Sequence, residues 1–143
     1  MSLYAIGDLH LSTKGNKPMD VFGREWSNHT DRLKAAFSRL GEDDVTVLCG
    51  DTSWGSDFEE SLEDFRWINN LPGKKIILKG NHDYWWNTVA KMKRFLEENN
   101  FSTIDILHNN CFFYEEYALC GTRGWFYEEE QTDHNEKVLR REV

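Results

Sequence analysis

No apolar run in this 143-residue chain approaches the roughly 20 residues needed to cross a bilayer, which excludes a membrane-spanning helix on sequence grounds. Met1-Ser2-Leu3-Tyr4 enters a strand-like run at once and leaves no room for a signal peptide, so the cytoplasm is the expected location. Cysteine is scarce: Cys49, Cys111 and Cys120 are odd in number and match no zinc spacing. Cys49 and Cys120 fall in strand-like runs, so buried, reduced thiols are expected. Basic excess is also missing, with 25 acidic residues against 17 basic ones and a net charge of −8. Such a field repels a phosphate backbone and disfavours broad nucleic-acid binding. It does not exclude a small phosphoester, because bound divalent cations reverse the sign of the potential locally. Internal repeats and low-complexity tracts are absent too.

What is present is a globular composition, with 39% hydrophobic and 29% charged residues and a length suited to one domain. Three apolar runs, at about 3–7, 45–49 and 75–79, read as buried strands. Helical spacing follows from about Thr30 to Leu40, from 57 to 70, and from 85 to 99. This alternation predicts crossover units and a parallel sheet. The rhythm then changes. Closely spaced strand signals near 104–107, 111–114 and 117–120 predict a second, partly antiparallel sheet. Residues 12–29 are polar and turn-rich, as expected of a long loop bordering a site.

Each of the first three strands ends in a short polar motif: Asp8-Leu9-His10, Gly50-Asp51 and Gly80-Asn81-His82-Asp83. Ligands collect beyond the carboxyl ends of parallel strands. Carboxylates, an imidazole and an amide oxygen together suit hard-to-borderline divalent metals. Taken singly, Asp8 or Asp51 reads as a turn cap, and Asp83 as the cap of the next helix. Together at three strand ends, the motifs point to a metal site.

In this order the three blocks resemble the calcineurin-like metallophosphoesterase family, whose pattern runs D-x-H, G-D, G-N-H-[DE]; the likeness covers residues from about 3 to 127. The resemblance implies an α/β fold of two facing β-sheets flanked by helices, an α/β/β/α sandwich with metals at one edge. It implies two divalent ions (manganese, iron or zinc), with Asp8 and His10 on the first, Asp51 bridging, and Asn81 on the second. His82 is implied as the general acid, and the activity as hydrolysis of a phosphoester, monoester or diester. The family's further histidine and Gly-His-x-His block have no counterpart here, since His108 and His134 follow Leu107 and Asp133. The expectation is therefore the N-terminal part of a single such domain, apparently truncated. The alternatives are a non-catalytic protein-binding scaffold of the same fold, or an inactive fragment. Many members carry a further Asp after Gly-Asp that orients the catalytic histidine; Trp54 occupies that region here. Trp85 and Trp86 suit either helix core or pocket wall, and Arg123 either a surface ion pair or a phosphate contact. His29 and His108 read as ordinary loop residues, and His134 as part of a solvated segment with Glu128, Glu129, Glu130 and Asp133.

Overall fold

Four strands pair in parallel in the order β1-β2-β3-β4, each joined to the next through a helix. The computed structural model describes residues 1–15, 17–123 and 132–142. The elements are β1 (Leu3–Ile6), α1 (His29–Phe37), β2 (Val45–Leu48), α2 (Phe58–Asn69), β3 (Lys74–Ile77), α3 (Val89–Glu98) and β4 (Ile104–Ile106). An antiparallel hairpin of β5 (Asn110–Tyr114) and β6 (Tyr117–Gly121) follows, and α4 (Asp133–Glu142) comes last. The architecture is mixed α/β with two sheets, as the strand and helix periods predict. Among the described residues no helix is long and apolar enough to cross a membrane.

Register explains the core. Ile6, Leu48, Ile77 and Ile106 stand opposite one another along the sheet. Side chains on that face meet Phe37 of α1, Phe65 and Ile68 of α2, and Met92, Phe95 and Leu96 of α3. Consecutive strands laid down in one direction by right-handed crossovers carry their helices on one face, which is where this cluster forms. Phe65 organises its centre, meeting Trp85 and Phe95 edge-on at ring distances of 4.8 and 5.4 Å. Trp85 is therefore core, while Trp86 is half-buried and meets the His108 ring.

Two helix starts differ from the sequence reading. The residues 85–88 expected in α3 are not helical; the chain turns tightly over 82–86, with Tyr84 N donating to the His82 carbonyl and Trp86 N to that of Asp83, and then runs on irregularly to Thr88. The helix begins only after Thr88, whose side chain accepts from Lys91 N as its cap. In α1 the capping position is Asn28, in the left-handed region, rather than Thr30.

The cysteine expectation is corrected. Cys111 and Cys120 are exposed cross-strand neighbours in the hairpin, joined as a disulfide with Cα atoms 4.4 Å apart. Cys49 is free and exposed. Strand-like context alone misled because β5 and β6 have little packed over them, and β2 ends one residue before Cys49. His134 is exposed on α4, while the expected solvated residues Glu128, Glu129 and Glu130 lie outside the described residues.

Candidate metal centre

Beyond the strand ends the chain keeps its pairing. Asp8 N donates to the Gly50 carbonyl, His10 N to Asp51, Leu11 N to Thr52, and Trp54 N back to Leu11, at 2.8–3.0 Å. Leu9 and Leu11 sink into the core, which turns Asp8 and His10 to the opposite face, Asp8 exposed and His10 buried. This ladder carries the first two motifs outward together. Asp8, His10 and Asp51 all have φ between 44° and 58°, a region non-glycine residues seldom adopt. Such strain clusters at functional sites because the surrounding bonds over-determine it.

The third motif arrives through a crossing that only glycines permit. A Cβ on Gly50, at φ 102°, would stand 2.6 Å from the Gly80 backbone, and one on Gly80 would strike the Asp51 carboxylate. The pair of glycines lets Asp51 and the Asn81-His82 turn share one spot.

The structure brings Asp8, His10 and Asp51 together, each offering a ligand atom within 4.8 Å of the others. His10 Nε2 lies 3.4 Å from Asp8 Oδ1 and 3.7 Å from Asp51 Oδ2. Asp8 faces solvent, whereas Asp51 and His10 are buried. Two carboxylates and one imidazole converging at contact range, short of good hydrogen-bond geometry, are a donor set suited to a divalent cation. His82 joins at Asp51: its backbone N donates to Oδ1 and its Nδ1 faces Oδ2, both at 2.9 Å. Asn81 is exposed, with its amide against the His82 ring, Nδ2 3.1 Å from Nδ1. None of these aspartates caps a helix; Asn28, Asp57 and Thr88 hold the capping positions of α1, α2 and α3.

Two supporting residues escaped the sequence reading. Asp83 caps no helix. It is 1% exposed, and its carboxylate accepts from Gly80 N, Asp51 N, Thr52 N and Trp85 Nε1 at 2.7–3.0 Å. A carboxylate is acceptor-only and can take several donors, so one side chain stitches the second and third motif loops together. Burial pushes its carboxyl pKa up; hydrogen bonds from the Gly80 and Thr52 backbones and the Trp85 indole oppose that, and the nearby Asp51 charge adds to it. Asp64 of α2 does similar work for the first loop, accepting from Thr13 N at 2.7 Å and from Ser53 Oγ at 2.6 Å. An acid in the middle of an amphipathic helix, next to Phe65 and one turn before Ile68, looks like surface until its partners are known.

Trp54, in the place where an orienting acid was expected, stacks on His10 with ring centroids 5.0 Å apart and lies 5.3 Å from the His82 ring. Its Nε1 donates to Met19 Sδ at 3.0 Å, which fixes the indole in turn. The carboxylate that meets His82 is Asp51 itself.

The family model for calcineurin-like phosphoesterases matches residues 1–141, and the chain belongs to that family. It is 32% identical over 77 residues to the Gene 66 protein of Mycobacterium phage L5, a stretch covering 53% of this chain and 37% of that protein. The chain thus spans little more than a third of that curated relative's length. In fold it is similar to a protein of unknown function from Aquifex aeolicus, with a TM-score of 0.54, 18% identity, and coverage of 99% of this chain and 72% of the other. At that identity the likeness concerns the fold alone.

Proposed function

We propose that this chain supplies the nucleophile-side half of a metal-dependent phosphoesterase site, with Asp8, His10 and Asp51 holding one divalent ion and His82 acting as general acid. The observation that carries the reading is the convergence of three ligand atoms within 4.8 Å at adjacent strand ends, in a chain of this family. Asp51 is the bridging candidate, because a carboxylate offers two oxygens, and Asn81 is proposed for a second ion through its amide oxygen. Further ligands for that ion are proposed to come from outside residues 1–143, which lack the family's Gly-His-x-His block.

When bound, paired divalent ions lower the pKa of water and polarise phosphoryl oxygens. The chain's own part is positional and protonic. Asp51 Oδ2 facing His82 Nδ1 sets the ring orientation and leaves Nε2 to deliver a proton to the departing oxygen. Trp54 covers the His10 ring and limits water on that side. General acid transfer of this kind contributes about 10²–10⁴-fold.

The test is hydrolysis of an aryl phosphate monoester and diester with manganese. Residues 1–143 alone are expected to turn over weakly or undetectably, since missing ligands cost more than the about 10–100-fold typical of outer-shell defects. A chain extended with the family's histidine motifs should gain manganese-dependent activity and lose it in His82→Ala. If the short chain hydrolyses such esters at rates that its own His82→Ala variant cannot match, the half-site argument fails.

A further inference from the structure

We infer that a cavity beside the metal centre receives the group esterified to the phosphate, and that it selects a neutral, planar heteroaromatic group bearing hydrogen-bond acceptors, of nucleobase type. The inference rests on the phosphoesterase reading for what happens next door, but the cavity stands on its own residues. It measures about 450 Å³ and lies between the end of β1 and the start of α1. Ile6, Leu33 and Ala36 supply apolar surface, and Trp26, His29 and Arg32 supply a ring, an imidazole and a guanidinium. Asp8 also lines it, so cavity and metal-facing cluster share a border.

Trp26 joins the two. Its ring meets His10 edge-on at 5.7 Å and His29 edge-on at 5.5 Å. One indole therefore touches a metal-facing imidazole and a cavity wall, which places a bound ring within an ester's reach of the centre. Aromatic rings favour planar partners in stacked or edge-on geometry. His29 Nε2 is buried just behind the cavity wall and has no hydrogen-bond partner among the described residues, a costly state that a turn of the ring toward a ligand atom would relieve. Arg32 uses one N–H on the Glu25 carbonyl at 2.6 Å, and a guanidinium has five. The occupant must therefore carry polar atoms as well as a flat face. Carboxylates of Asp8 and Glu25 balance Arg32 in the lining, so the cavity is not an anion site and a second phosphate is disfavoured.

The experiment is calorimetric titration of the metal-free chain with adenosine, a planar heteroaromatic group with no ester to cleave. Saturable one-to-one binding with a Kd on the order of 1 mM or tighter is expected. Arg32→Ala, an exposed position, and His29→Ala should each weaken it about tenfold. Benzyl alcohol, a ring without base-type acceptors, should bind about tenfold more weakly than adenosine. No saturation up to about 10 mM, or binding that both variants leave unchanged, overturns the inference. Failure here leaves simple ester hydrolysis standing, whereas adenosine binding together with no manganese-dependent hydrolysis by the chain extended with the family's histidine motifs upholds the cavity and counts against the phosphoesterase reading alone.

Discussion

The metal-facing edge and the β5–β6 hairpin are both loop-rich ends of the same molecule, yet they are built in opposite ways. At the edge, polar side chains are buried and multiply bonded: Asp51, Ser53, Asp64 and Asp83 are all sunk below the surface. In the hairpin, large apolar side chains face water, with Phe113 83% and Tyr117 60% exposed. The edge keeps three strained backbone positions in place through a net of short hydrogen bonds. The hairpin relies on one ladder and one disulfide. Buried polar groups cost free energy unless satisfied, so a region that keeps so many is organised around chemistry rather than stability.

Asp83 is the sharpest way to break that contrast. Asp83→Ala would orphan four donors at once, three of them buried, and urea unfolding should show a loss of about 3–5 kcal/mol. A loss below about 1 kcal/mol would mean that the stitching is incidental.

Lys75 tests whether buried charge by itself marks the site. It is fully buried on β3, donating to the carbonyls of Leu71 and Gly73 just after α2. Burial lowers its pKa to about 8, against an opposing pull from Glu42. The folded pKa lies below that of the unfolded chain, so between about pH 8 and 10.4 the unfolded state binds more protons and stability rises with pH on this group's account. From pH 7 to 10, wild type should gain about 2 kcal/mol relative to Lys75→Met. Equal pH dependence in the two would refute the buried-charge assignment. Phe113→Ser, the smallest effect, should shift stability by less than about 0.5 kcal/mol; a larger loss would show that the hairpin tip packs against something in solution.

These contrasts also explain what the sequence disclosed. The parallel sheet was legible because β1, β2 and β3 are short apolar runs stopped at Gly7, Gly50 and Gly80, and periods of two and 3.6 residues are local properties. The convergence of Asp8, His10 and Asp51 followed from strand ends sharing an edge. Asp83 was misread as a helix cap because its partners at 51 and 52 lie some thirty residues away, and nothing local announces them. The start of α3 was missed for the same reason: Trp85 is drawn into the core beside Phe65, and its indole bonds Asp83, which forbids helix there. Cys111 and Cys120 were misjudged because strand character was taken for burial. Their pairing depends on the cross-strand register, which the hairpin turn at Glu115-Glu116 sets.

The most direct test of the central claim is calorimetric titration of residues 1–143 with manganese, comparing wild type with Asp51→Asn. Asparagine keeps an oxygen to accept from His82 N, so the fold should persist while the charge at the centre of the cluster is lost. The account predicts one strong site in wild type and at least about a tenfold loss of affinity in the variant. Equal manganese binding by both chains, with both folded, would contradict it.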